Sequence, residues 1–269
     1  MTVELGVTQW SLPERGVAAL DVAARAGLSC IQLDAGGPGR PEPDAMRPEV
    51  RRRYRAAAAA SGVRIAGVTA GVLDEYGMTA RPGTLRRDRC WAAVRAAVET
   101  AVELAAPVVY LPAFEDGEIR TDVDLGRAAD MLRAAHEHLG PAPTELAVET
   151  SLGAGSTRQL LDRAGVPGLR VLFDTYNAVR FGHDPCALFD ALGPDRCGQL
   201  HVKDGVGGGM GNVPIGAGDG GTERIVRHVI GRGYDGCLLL EAEYGLDLAR
   251  VAVDVRRLAA WTRDGLADE

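Results

Sequence analysis

No two cysteines of this 269-residue chain stand as a CxxC pair, and the five present (Cys30, Cys90, Cys186, Cys197 and Cys237) are odd in number and widely spread. That pattern argues against a disulfide framework and for reduced, buried thiols in a cytoplasmic protein. The chain also lacks basic excess. Its formal net charge of -7 argues against a sequence-independent nucleic-acid or anionic-membrane surface, which needs clustered Lys and Arg to displace counterions. No window approaches the roughly 18 apolar residues of a membrane span, and the opening MTVELGVTQW has no basic region ahead of an apolar stretch. No linker, low-complexity tract or shift in composition divides the sequence. These absences lead to the expectation of one soluble cytoplasmic domain over 1–269, with small molecules as partners and neither nucleic acid nor membrane among them.

What is present is a repeating unit. The chain is 46% hydrophobic and 25% charged, enough to bury a large core. Strand-like runs occur at VELGVTQW (3–10), CIQLDA (30–35), RIAGVTA (64–70), VVYLPAF (108–114), ELAVET (145–150), RVLFDT (170–175), GQLHVKD (198–204) and CLLLEAEY (237–244). Between them lie stretches such as RDRCWAAVRAAVETAVELA, LGRAADMLRAAHEHLG and ERIVRHVIGRG, whose apolar residues recur every three or four positions, and Gly27, Gly62, Gly140, Gly165 and Gly233 follow as stop signals. Strict alternation implies parallel strands with right-handed crossovers, and eight units in this length match an α/β fold, the (β/α)₈ TIM barrel. An open doubly wound sheet is the competing arrangement. The Pro- and Gly-rich GGPGRPEPDAMRPE (36–49) reads as the loop after the second strand.

In a barrel, residues at the carboxyl ends of strands project into the mouth. Glu149 closes the fifth run, and Asp174, His201 and Glu241 hold corresponding places on the sixth, seventh and eighth. Neighbouring strands are about 4.8 Å apart, so four such side chains can converge. Three carboxylates that close repel unless a cation neutralises them. Three oxygens and an imidazole nitrogen suit a divalent ion such as Mn²⁺, with Mg²⁺, Co²⁺ and Zn²⁺ as alternatives. Read singly, each residue has a structural role open to it: a loop cap for Asp174, a core histidine for His201, an ion pair for Glu149 or Glu241. It is the four together, at equivalent positions, that point to a metal.

Glu149, then FDTYN, HVKDG, a glycine-rich stretch with PIGAGDG, and GYDGCLLLEAEY together resemble the xylose isomerase-like barrels, the sugar phosphate isomerase/epimerase superfamily. The resemblance spans nearly the whole chain and is most specific in its second half. It implies that Glu149, Asp174, His201 and Glu241 ligate a metal that holds a hydroxy-ketone, and that Glu149 and Glu241 move the proton in an isomerase or epimerase passing through an enediolate. Loss of a β-hydroxyl from that intermediate would make the protein a lyase, an inosose-type dehydratase or a carbon-glycoside-cleaving subunit; a non-catalytic sugar-binding barrel is the reading from another class. Barrels of this type often self-associate into homo-oligomers, although no exposed stripe in the sequence marks an interface. Many relatives carry histidine where this chain has Asn177, which can still hydrogen-bond a substrate hydroxyl, with a loop-turn role as the alternative. With only His136, His138, His183, His201 and His228, the chain lacks the histidines for the multi-zinc cluster of the endonuclease branch.

By alternation Lys203 shares a side with His201, to meet a substrate oxyanion or pair with a carboxylate, and Glu243 is the alternative to Glu241 if the register slips. Trp10 is a candidate sugar-stacking face. GAGDGG (216–221) fits a dinucleotide fingerprint, but no adequate strand precedes it. The segment 205–221 reads instead as a mobile loop over the mouth, with helix-start amides near Thr222 able to hold a phosphate.

Overall fold

The computed structural model describes residues 3–36, 47–245 and 247–264. Eight parallel strands close into a barrel in chain order: β1 (Glu4–Thr8), β2 (Cys30–Asp34), β3 (Arg64–Thr69), β4 (Val108–Ala113), β5 (Glu145–Thr150), β6 (Arg170–Asp174), β7 (Cys197–Val202) and β8 (Cys237–Leu240). The last strand returns to the first in the register Gly6↔Leu239 and Val7↔Leu240, so the sheet keeps no open edge. The barrel expectation is met and the doubly wound sheet is set aside.

The helices are α1 (Ala18–Arg25), α2 (Pro48–Ser61), α3 (Leu73–Tyr76), α4 (Leu85–Glu103), α5 (Asp122–Leu139), α6 (Ala154–Ala164), α7 (Asn177–Arg180), α8 (Pro185–Leu192), α9 (Thr222–Gly231) and α10 (Leu248–Asp264). Thr84 caps α4, and a reciprocal Thr121–Asp124 box caps α5. Helix α2 is absent from the periodicity reading because its run VRRRYRAAAAAS buries only Val50, Arg51 and Tyr54; alanine propensity and Pro48 at its start make it a helix. Thus 47–49 are not all loop, while 37–46 lie outside the described residues. No helix among the described residues is long and apolar enough to cross a membrane.

Several strands end earlier than their apolar runs. Gln9–Ser11 turns into a short 3₁₀ segment after β1. At β8 the Glu241 N–H still reaches Val202 O (3.0 Å), but the Ala242 N–H donates to Ser11 Oγ (3.0 Å), which ends the ladder.

The chain divides into two compact units, 1–32 with 56–66 and 172–269, and 33–55 with 67–171, with the divisions falling inside β2, α2, β3 and β6. In the second unit β4 and β5 pair from Val108↔Glu145 to Ala113↔Thr150, and buried Arg51 pairs with Glu103 at 2.7 Å. In the first, Cys30, Ala66, Cys237 and Leu239 form an apolar layer. Cys30 and Cys237 come from strands on either side of β1, and their sulfurs meet at 2.8 Å because Gly6 between them has no side chain. A Cβ on Gly6 would lie 2.5 Å from Cys30 Sγ and 2.8 Å from Leu239 Cδ2. We therefore expect Gly6→Ala to destabilise the fold by about 1–3 kcal/mol through overpacking, measurable as a lower urea midpoint at unchanged m-value. A wild-type midpoint would mean that the layer has slack. All five cysteines are free and buried, as expected.

Candidate active site

Asp174 is the last residue of β6, and its two oxygens do different work. Oδ1 accepts the Tyr176 and Asn177 N–H groups at 2.8 and 2.6 Å, turning the chain into α7. Oδ2 lies 3.0 Å from Lys203 Nζ and 3.9 Å from His201 Nδ1. The loop-cap role and the site role therefore coexist in one carboxylate. Thr175 fastens this corner to β7: its N–H donates to His201 O, and its hydroxyl both donates to Lys203 O (2.9 Å) and accepts the Lys203 N–H (3.1 Å).

Glu241 lies one residue past β8, gripped from three directions. Trp10 Nε1 donates to Oε1 at 2.8 Å, Lys203 Nζ donates to Oε2 at 2.6 Å, and His201 Nδ1 is 3.2 Å from Oε2. The Trp10 ring also meets the His201 ring edge-on, with centroids 6.0 Å apart. The 3₁₀ segment can hold Trp10 there because Ser11 Oγ is tied to both Thr8 Oγ1 (2.7 Å) and the Ala242 N–H. Burial would raise the Glu241 carboxyl, but the Lys203 ammonium and the His201 ring in its protonated form, with their hydrogen bonds, hold it well below the usual carboxylate range.

Glu149 is the penultimate residue of β5 and is buried. Asp174, His201 and Glu241, all of the first unit, come together, with His201 Nδ1 3.9 Å from Asp174 Oδ2 and 3.2 Å from Glu241 Oε2. Oxygen and imidazole-nitrogen donors of this kind suit a divalent ion of hard to borderline character, and the two carboxylates of Asp174 and Glu241 outweigh the one ammonium of Lys203 between them. The donor set fits the metal that the sequence suggests. Lys203 Nζ, bridging Asp174 and Glu241, is itself a cation drawn to that charge.

The other candidates sort by position. Asn177 is buried at the start of α7, directly behind Asp174. Glu243 is exposed, so Glu241 is the glutamate beside His201 and the register did not slip. His183 bonds through its N–H to Ala178 O in the turn before α8, and His138 and His228 pair with Glu99 and Asp190. The segment 205–221 continues the chain beyond β7. It folds around buried Asp204, whose Oδ1 accepts the Gly205 and Gly220 N–H groups and whose Oδ2 accepts those of Gly216 and Gly218, all at 2.9–3.2 Å. A side chain at Gly218 would collide with that carboxylate, which is one physical reason for so glycine-rich a stretch.

Two residues with no role in the sequence reading sit directly behind the site. Gln32 Oε1 meets His201 Nε2 at 2.6 Å, and Gln199 stands behind Gln32. The available signal was parity: Gln199, His201 and Lys203 occupy alternate positions on β7 and its continuation, so the face that carries the histidine is polar from Gln199 onward.

The family described as xylose isomerase-like TIM barrel matches residues 20–264. A curated relative, the 2-epi-5-epi-valiolone 7-phosphate 2-epimerase of Actinoplanes sp. (strain ATCC 31044 / CBS 674.73 / SE50/110), is 34% identical over 226 residues, covering 84% of this chain and 82% of its own. Among solved structures, a xylose isomerase domain protein from Planctomyces limnophilus superposes with a TM-score of 0.79 at 19% identity over 99% of both chains. A xylose isomerase-like TIM barrel protein from Mycobacterium smegmatis, in complex with magnesium, gives 0.74 at 15% identity over 98% of both. At those identities the two structures speak for the fold alone.

Proposed function

Since the chain belongs to the xylose isomerase-like TIM barrel family and is an enzyme, we propose that it is a divalent-metal-dependent epimerase of a polyhydroxy ketone or its phosphate ester, with Glu149, Asp174, His201 and Glu241 as ligands. The observation that carries this reading is the meeting of Asp174 and Glu241 at one buried imidazole, His201 Nδ1 lying 3.9 Å from the first carboxylate and 3.2 Å from the second. The relative's name adds the substrate class: it is a 2-epimerase of a phosphorylated valiolone.

When bound, a divalent cation would polarise the substrate carbonyl and so lower the cost of removing a proton from the adjacent carbon. The chain's own residues supply the rest. Glu149 and Glu241 are the proton-transfer groups, one taking the proton and the other returning it on the opposite face. Trp10 and Lys203 fix the Glu241 carboxylate by two hydrogen bonds, so it meets the carbon in one orientation. A carboxyl held well below its usual range stays ionised, so Glu241 meets the substrate as a carboxylate able to take a proton. Asn177 and the apolar face of Trp10 contact the substrate's hydroxyls and C–H surface, and Lys203 lies close enough to the carboxylates to reach a substrate oxygen. Return of the proton to the neighbouring carbon would give isomerisation, and loss of a β-hydroxyl would give dehydration.

Proton NMR in D₂O tests the proposal, with Mg²⁺- or Zn²⁺-loaded and metal-stripped protein against a panel of ketoses, inososes and their phosphates. The expected result is deuterium beside the carbonyl with inversion at that carbon, only in the loaded sample. A dehydrated product would move the enzyme to the lyases. Failure of every substrate to exchange, together with no bound metal, would overturn the proposal.

A further inference from the structure

We infer that Gln32 and Gln199 form a relay of fixed hydrogen-bond polarity that makes the neutral His201 ring carry its one hydrogen on Nε2 and turn the bare Nδ1 toward the acidic cluster. The inference rests on the metal-site reading above and assigns its positioning residues. The relay starts at a group whose role is not adjustable. Ala66 O is a backbone carbonyl and can only accept, and it lies 2.6 Å from Gln199 Nε2. The Gln199 amide must therefore present its NH₂ to Ala66, which turns Oε1 to Gln32. An amide oxygen also only accepts, so Gln32 presents its own NH₂ there, at 3.0 Å. That leaves Gln32 Oε1 facing His201 Nε2 at 2.6 Å, and this third acceptor requires a ring N–H. The other ring nitrogen points at Glu241 Oε2 (3.2 Å) and Asp174 Oδ2 (3.9 Å). A ligand nitrogen has to be the bare one.

Burial shows why the amides are there. Gln32 and Gln199 are 0% and 3% exposed, and a buried amide costs more than an apolar side chain unless its atoms are bonded. All four amide heavy atoms are bonded here. A hydrocarbon at either position would pack without that demand but would leave the ring free to take either tautomer. The relay begins at β3, and Gln199 reaches His201 only through Gln32. Gln199 is thus a positioning residue that touches neither the proposed ligands nor the substrate.

The first measurement is the ring ¹⁵N spectrum of His201 in the metal-free wild type, at a pH where the imidazole is neutral. We expect the Nε2–H tautomer; an Nδ1–H tautomer overturns the relay, and this result needs no variant to fold. The second is Zn²⁺ affinity, read by competition with a chromogenic chelator, for wild type, Gln199→Met and Gln32→Met. With Gln199→Met the Gln32 amide is free to turn over, so a mixture of tautomers and Zn²⁺ binding weaker by about 10-fold or more is expected, in the range measured for loss of groups that orient metal ligands. Gln32→Met should do the same. Unchanged tautomer and affinity in both variants would overturn the relay even with Zn²⁺ firmly bound. A wild type that binds no Zn²⁺ while showing Nε2–H would instead defeat the metal reading, so the two failures are distinguishable.

Discussion

Glu241→Gln is expected to stop inversion while leaving deuterium exchange intact for one of the two epimers. In the proposed chemistry each glutamate serves one face of the reacting carbon. Without the group on one face, the remaining glutamate still takes and returns a proton on its own side, so the epimer whose C–H faces it exchanges with solvent and goes no further. Glu149→Gln should show the same behaviour with the epimers interchanged. Inversion should fall by about a hundred- to ten-thousand-fold in either variant, the usual contribution of a positioned acid or base. Glutamine keeps a carbonyl oxygen as a ligand of the same shape, and elemental analysis of Zn²⁺-loaded variants separates a lost base from a lost metal. The reading fails if either variant inverts at the wild-type rate with its metal in place.

Lys203→Met is expected to carry the largest effect on stability, about 3–5 kcal/mol in metal-free protein, because it leaves the buried Asp174 and Glu241 without the ammonium that bridges them at 3.0 and 2.6 Å. The sign with pH follows from Glu241. Its folded carboxyl lies below its range in the unfolded chain, held there against burial by Lys203 first and His201 next. It therefore adds stability at pH above the unfolded range, and that contribution is lost as pH falls through the folded value. Removing Lys203 leaves burial to push the carboxyl up, so acid should unfold the variant at a higher pH than wild type. Divalent cation should restore more stability to the variant than to the wild type, since it binds a folded state with more unbalanced negative charge. Melts with EDTA and with Mg²⁺ or Zn²⁺ check this. A variant that melts with the wild type in EDTA would show that the bridge contributes nothing.

The barrel was legible because its signal is local and repeated. Each strand is a short apolar run, most helices show a three-to-four periodicity, and Gly140 and Gly165 directly follow α5 and α6. Helix α2 escaped because alanines carry propensity without an apolar stripe, and the strand ends escaped because they depend on side chains far away, as when Ser11 takes the Ala242 N–H from the ladder. Asp174 is a clearer case. Its neighbours in the sequence offer a loop cap and a site residue as alternatives, and the fold gives one oxygen to each.

The sequence by itself determined eight alternating strand–helix units, and that Glu149, Asp174, His201 and Glu241 stand at or beside the carboxyl ends of four successive strands, because period and position along a strand are properties of the chain alone. The tertiary structure alone decided which polar groups meet. Gln32 and Gln199 are separated by 167 positions, His201 and Gln32 by 169, and Trp10 and Glu241 by 231. Their hydrogen bonds exist only because closing the sheet turns alternate residues of distant strands inward, where a buried donor or acceptor must find its partner among whatever the other strands present.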